Sequence, residues 1–190
     1  TSTLATRLAQ QNPDKSKHLE TATITLGKYQ VDFVNLRTEK YTDSRIPIME
    51  IGTPQQDAER RDLTINSLFY NVNEQKIEDF TGSGLADLRS GLARTPLDPL
   101  TTLIDDPLRA LRAVRFCCRF QLTAEPELVK AICNPTVQVA LGSKVSRERI
   151  FVETKQMMQH LTGAPRAALL LHELRLIQHI LCLPTHDEVQ

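Results

Sequence analysis

The run Ile104-Asp105-Asp106-Pro107-Leu108-Arg109-Ala110-Leu111-Arg112-Ala113-Val114-Arg115-Phe116, continuing through Cys117 and Cys118 to Arg119, decides how this chain is organised. Asp105 or Asp106 can cap a helix that starts at Pro107, where the missing N–H costs nothing. Neither glycine nor a further proline interrupts the run before Arg119. At about 3.6 residues per turn, Leu108, Leu111, Ala113 to Val114 and Cys118 form an apolar stripe. Arg109, Arg112, Arg115 and Arg119 follow beside it at three- and four-residue steps.

Asp106 and Arg109 stand one turn apart and offer a carboxylate acceptor next to a forked, permanently charged donor. Such a pair can read a base edge. Cytosine and adenine both present an amino donor beside a ring-nitrogen acceptor; uracil and guanine present a carbonyl beside an N–H. The pair would therefore accept C and A and oppose U and G, at about 1–3 kcal/mol for each buried unpaired group. The other reading is an ordinary ion pair at a helix start, worth a few tenths of a kcal/mol. From these residues alone both stand.

The 190 residues allow one ordinary domain or two small ones, and 41% hydrophobic residues without tryptophan suit more than one small core. With 23 basic and 23 acidic residues the formal net charge is zero, which excludes a globally basic nucleic-acid protein and leaves polyanion binding to local clusters. Cys117, Cys118, Cys133 and Cys182 lack CxxC spacing, as expected of free thiols in an intracellular chain. No apolar run approaches the roughly 18 residues of a membrane span. The chain opens at Thr1 within a stretch of structured character, so an upstream segment is expected.

In chain order, Leu4 to Gln11 suggests a helix ended by Asn12 to Lys17. Thr21 to Leu26 and Tyr29 to Leu36 around Gly27-Lys28 read as a hairpin. Asp32 lies in its second strand, either at an exposed edge or facing a cation or metal. Arg37 to Gln56 reads as a long loop with one short strand at Ile46 to Ile51. Thr53-Pro54-Gln55-Gln56 is a helix start of the capping-box kind, and the helix is expected to carry Asp57 through Tyr70, placing Asp62 and Asn66 on one face beside Arg61. For these a plain polar face is the alternative. A second hairpin is expected around Asn73-Glu74-Gln75, a short helix at Leu85 to Arg89 and a last strand at Leu92 to Thr95. From Pro99 onward only helices are expected: the Asp106 helix, Pro126 to Cys133, Ser146 to His160 and Pro165 to Cys182. Ser146 should cap its helix, and Arg147 and Arg149 in the first turn call for an anionic partner. This shift near residue 96 marks the expected domain boundary.

Three separated runs, Asp57-Ala-Glu-Arg-Arg-Asp-Leu-Thr-Ile-Asn-Ser-Leu-Phe-Tyr70, Asp105-Asp-Pro-Leu-Arg-Ala-Leu-Arg-Ala-Val-Arg-Phe116 and Ser146-Arg-Glu-Arg-Ile150, resemble in order and spacing the later motifs of class II tRNA nucleotidyltransferases, the CCA-adding enzymes. Glu78 to Gly82, Lys17 to Ala22 and Val31 to Arg37 also resemble that family, and the wording is nearest its eukaryotic, fungal-like members.

The resemblance implies an α+β fold, a partial nucleotidyltransferase palm of mixed β-sheet and helices over 1–95, a helical neck over 96–160 and the start of a helical body over 161–190. It implies CCA addition to tRNA from CTP and ATP, with Mg²⁺ held by carboxylates. Asp106 and Arg109 would form the template, with Arg112 and Arg115 beside the nucleotide. Arg61, Asp62 and Asn66 would hold ribose and triphosphate, with Arg60 as a helper. Asp32 would be catalytic as a metal ligand, the loop around Asp43 and Arg45 would help the change from C to A, and Lys144, Arg147 and Arg149 would face RNA. The family's Asp-x-Asp strand is expected upstream of Lys17, so this chain alone is expected to be an inactive fragment completed by an N-terminal catalytic segment. A cytoplasmic setting is expected, with mitochondrial or nuclear pools. A poly(A) polymerase of the same superfamily, a non-catalytic RNA- or nucleotide-binding fragment and a helical interaction module are the rival readings.

Overall fold

Thr53 begins the first helix as its sequence predicts: Gln56 N–H donates to Thr53 Oγ1 at 3.3 Å and Thr53 N–H to Gln56 Oε1 at 2.9 Å, a reciprocal cap ahead of α1 (Pro54–Glu59). The computed structural model describes residues 22–40, 48–159 and 163–181. The expected features at Leu4 to Lys17, at Asp43 and Arg45, and at Cys182 lie outside the described residues.

The architecture is α+β. The described strands pair two at a time: β1 (Ala22–Leu26) with β2 (Tyr29–Phe33), β3 (Arg37–Lys40) with β4 (Ile48–Ile51) and β5 (Leu68–Asn71) with β6 (Lys76–Asp79), all antiparallel. Gly27, at φ 61°, supplies the left-handed turn of the first hairpin. Asn71 Oδ1 accepts the N–H groups of Asn73 and Glu74 in the turn of the third. β3 falls within the stretch expected to be loop. Its polar Arg-Thr-Glu-Lys carries no alternation, and its pairing with β4 fixes it instead.

The helix expected to run from Pro54 to Tyr70 stops at Glu59. Arg60 and Arg61 fold back on Asp57, Leu63 plunges to 1% exposure, and a single 3₁₀ turn at Thr64–Asn66 leads into β5. Burial of Leu63 and the Thr64 N–H to Arg94 C=O bond at 2.8 Å outweigh continuation of the helix. Asp79 then ties the next turn, accepting from Thr81 Oγ1 and Leu85 N–H at 2.8 and 3.0 Å ahead of α2 (Gly84–Ser90).

β7 (Leu92–Ala93) pairs in parallel with β8 (Thr123–Ala124), so strands do not cease at residue 95 as expected. The rest is helical: α3 (Pro99–Asp105), α4 (Leu108–Phe120), α5 (Pro126–Ile132), α6 (Pro135–Lys144), α7 (Arg147–Met158), α8 (Gly163–Glu173) and α9 (Ile177–Ile180). α6 was not expected, since Asn134-Pro135 reads as a separator. Asn134 instead caps it, accepting Thr136 N–H at 2.9 Å, with Pro135 in the first turn. The last expected helix is broken where Arg175 takes φ 57°.

α4 is the centre of the core. Its Leu108, Ala110, Leu111, Ala113, Val114, Cys117 and Cys118 share one buried cluster with Leu128, Ile132, Leu141, Ile150, Met157, Ala167 and Leu171 of the other helices, and Leu63 and Ala93 from the strand-bearing half join it. Burial raises the Cys117 thiol to about 11, with Cys118 beside it adding to the effect. Among the described residues no helix is long and apolar enough to cross a membrane.

Candidate nucleotide site

The first turns of α4 present their arginines to the 60–67 segment on one side and to α7 on the other. Arg109 donates to the Arg60 carbonyl at 2.7 Å and to the Thr102 carbonyl at 3.3 Å. Arg112 donates Nε and a terminal nitrogen to Asp62 Oδ2 at 2.7 and 2.6 Å. The other oxygen of Asp62, which is 7% exposed, accepts Leu63 N–H at 2.9 Å and Asn66 Nδ2–H at 3.0 Å. Asp62 and Asn66 thus meet as the sequence suggests, although a loop and a 3₁₀ turn bring them together and not one helical face.

Asp106 closes α3 and opens α4. Its Oδ1 accepts Leu108 N–H at 3.2 Å, which is the cap expected before Pro107. Its Oδ2 accepts Arg149 at 3.1 Å. Arg149 has therefore found the carboxylate partner that a cation in a first helical turn calls for. Arg147 donates to the His179 carbonyl at 2.7 Å, and Lys144 is exposed at the end of α6. Ser146 starts α7 without a side-chain cap. Glu148's own backbone N–H, and then the Ser146 hydroxyl, hold the Glu148 carboxyl below its usual range.

Two residues central to this layer were not singled out from the sequence. Asp57, 2% exposed at its side chain, accepts Arg60 at 2.6 and 3.1 Å and Arg61 at 2.7 and 3.1 Å. Arg61 also donates to the Asn66 carbonyl at 2.9 Å and lies 4.9 Å over the Phe69 ring. The spacing of Asp57 three and four residues before two arginines is the signal that could have found it. Glu153 is the second: at 6% exposure it accepts Arg115 at 2.6 Å and lies 3.7 Å from Arg112. No local pattern points to Glu153, because its partners lie in another helix.

These contacts form one relay, Asn66–Asp62–Arg112–Glu153–Arg115, with Arg115 4.3 Å over the Phe116 ring. Each carboxylate faces a guanidinium, so the charges are compensated where they are buried. Asp32 takes no part in this relay. It is exposed on β2, and among the described residues its hydrogen-bond partner is Thr23 of its own hairpin, at 2.6 Å. Among the described residues no group of three or more His, Cys, Asp or Glu able to hold a metal forms.

Residues 4–94 match the Poly A polymerase head domain model. The mitochondrial CCA tRNA nucleotidyltransferase of Saccharomyces cerevisiae is 54% identical over 149 residues, covering 78% of this chain and 27% of that protein. The tRNA nucleotidyltransferase cca2 of Schizosaccharomyces pombe is 45% identical over 181 residues, covering 94% of this chain and 37% of that protein. The crystal structure of the Bacillus stearothermophilus CCA-adding enzyme in complex with CTP superposes with a TM-score of 0.71 at 25% identity, over 85% of this chain and 38% of that one. Poly(A) polymerase I of Salmonella typhi is more distant, at 37% identity over 108 residues and 57% of this chain. This chain spans about a quarter to somewhat over a third of the length of the curated tRNA nucleotidyltransferases it matches. With three ordered motifs meeting in one arginine layer, over half the residues shared with the yeast protein across 78% of this chain, and a fold in common with a CCA-adding enzyme, the chain belongs to the class II tRNA nucleotidyltransferase family.

Proposed function

We propose that the protein of which this chain is a part adds C and A to tRNA 3′ ends from CTP and ATP. The RNA 3′ oxygen forms the new bond to the α-phosphorus, and pyrophosphate leaves with the electrons of the broken P–O bond. The observation that carries this reading is the fixation of Asp106 and Arg109 together. The Arg109 fork is held by the Arg60 and Thr102 carbonyls, and the Asp106 carboxylate is oriented by Leu108 N–H and Arg149.

In this reading Asp106 accepts the exocyclic amino group of C or A and Arg109 donates to the ring nitrogen. Two oxygens offer about four acceptor sites, and Leu108 and Arg149 account for two contacts, so capacity for a base remains. Arg112 and Arg115, held by Asp62 and Glu153, lie beside the base with Phe116. Arg61, Asp62 and Asn66 line the ribose and triphosphate side, and Lys144, Arg147 and Arg149 turn toward RNA. Mg²⁺ belongs to this chemistry as a Lewis acid. Among the described residues Asp32 would be its carboxylate ligand, standing outside any group of three or more potential metal ligands. The mitochondrial designation of the yeast relative supports a mitochondrial pool.

The match to a poly(A) polymerase head domain favours a second reading, open-ended A addition. Incubating the full-length protein with tRNA lacking its 3′ end, CTP, ATP and Mg²⁺ separates the two. A stop after CCA supports the first reading, an open run of A supports the second, and no extension under any nucleotide mixture overturns both.

A further inference from the structure

α4 and α7 run parallel. Asp106 meets Arg149 at the near end, Arg112 and Arg115 meet Glu153 in the middle, and beyond them a cleft of about 380 Å³ is lined by Arg115, Arg119, Gln156 and Gln159. Carboxylates along this seam give way to glutamines. A glutamine amide donates and accepts but does not neutralise a guanidinium. Among the described residues Arg119 has no carboxylate partner, and its neighbour is the Phe120 ring at 5.1 Å. Phe120 stacks on Phe116 with centroids 6.0 Å apart and planes 10° off parallel, yet stays 50% exposed.

An uncompensated guanidinium in a polar hollow, beside an aromatic ring open to solvent, is the combination that holds single-stranded nucleic acid. Phosphates go to the charge and bases to the ring. We propose that this cleft binds the single-stranded 3′ segment of an RNA by its backbone phosphates at Arg119, with Gln156 and Gln159 bonding phosphate or sugar oxygens and Phe120 offering its ring to a base. The proposal rests on the reading that the parent protein works on tRNA 3′ ends. It adds a location for the strand, roughly 20 Å along the α4 axis from Asp106 at about 1.5 Å per residue.

The test uses the full-length protein with Arg119→Gln, Gln159→Glu and Gln159→Lys. Binding of tRNA lacking its 3′ end is measured by filter retention over a salt series, and CTP binding by equilibrium dialysis. Arg119→Gln and Gln159→Glu are expected to weaken tRNA binding about five- to tenfold. Arg119→Gln is also expected to lower the salt slope by about 0.7, one single-strand phosphate contact. Gln159→Lys is expected to tighten tRNA binding, with CTP affinity the same in all three. Opposite signs at exposed Gln159 are not produced by a folding defect, so that pair decides even if Arg119→Gln unfolds. Unchanged tRNA affinity in the Gln159 pair, or loss of CTP affinity in place of tRNA affinity, overturns the proposal. Failure of the unaltered protein to extend tRNA would instead sink the parent activity, and that is seen before any variant is made.

Discussion

Asp57→Asn removes one charge and keeps the shape of the side chain. The Asp57 carboxylate accepts four guanidinium N–H groups, two from Arg60 and two from Arg61, and the Arg37 backbone N–H at 3.2 Å. Asparagine keeps one acceptor and turns the other into a donor, so one guanidinium then faces N–H against N–H. Removing one partner of a buried pair costs about 3–5 kcal/mol. Arg61, 35% exposed, can swing into water, which puts the loss at the low end, about 3 kcal/mol. At ~2–4 °C per kcal/mol for a chain of this size, Tm should fall by roughly 6–12 °C. Burial pushes the Asp57 carboxyl up, but the bonds from Arg61 and Arg60 and from the Arg37 N–H outweigh it and hold the group below its ordinary value of 3.8. A carboxyl depressed in the folded state contributes stability that is complete above its unfolded pKa and is lost as pH falls through the folded one. The gap between unaltered protein and variant in urea unfolding, followed by circular dichroism, should therefore be widest above about pH 5 and close in more acid solution. A gap under about 1 kcal/mol at pH 7, or one of constant width on acidification, would refute the view of Asp57 as a charged hub.

Asp106→Ala in the full-length enzyme should admit U and G roughly 10- to 100-fold more readily, with tRNA affinity nearly unchanged; single-nucleotide incorporation assays read this, and continued selection of C and A alone would remove Asp106 from the template. Glu153→Gln, which strips the carboxylate from Arg115 and Arg112, should cost about 3 kcal/mol in urea unfolding and raise KM for CTP more than it lowers kcat. A Cβ at Gly84 would stand 2.7 Å from the Thr64 carbonyl and 2.8 Å from Leu68 Cδ2, so Gly84→Ala should cost about 1–3 kcal/mol, whereas Ala86→Ser on the exposed side of the same helix should stay within about 0.5 kcal/mol in thermal melts. Under limited alkylation at pH 8 the half-buried Cys133 should be modified before Cys117, whose thiol stays protonated and buried; mass spectrometry of the digests gives the order.

What was legible in the sequence was local. The Thr53-to-Gln56 cap, the hairpins at Gly27 and at Asn73 to Gln75, and the apolar stripe of α4 follow from side chains acting on backbone a few residues away. The family resemblance of the motif runs assigned them to one site, and within those runs Asp62 is bonded to Arg112 and Asp106 to Arg149. The break after Glu59 was not legible, because Pro54 to Tyr70 contains no glycine or further proline, and the helix is ended by burial of Leu63 in the core and the bond from Thr64 N–H to the distant Arg94 carbonyl. α6 was hidden by Asn134-Pro135, a pair that serves equally as a turn and as a helix start. The partners of the arginines were the least legible: Arg112 and Arg115 choose Asp62 and Glu153, each about forty or fifty residues away in the chain.

The parallel seam of α4 and α7 also restricts how this chain can change in length. Its cross-links, Asp106 to Arg149, Arg112 to Glu153 and Arg115 to Glu153, lie in step along both helices. One residue inserted in α4 between Asp106 and Arg112 would turn everything beyond it by about 100°, carrying Arg112 and Arg115 off Glu153 and their apolar neighbours out of the core. The exposed hairpin turn at Asn73 to Gln75, outside the seam, bears no such constraint. Lengthening is thus expected to be tolerated there and rejected within the helices, and a scan of single-residue insertions would map the seam without reference to any substrate.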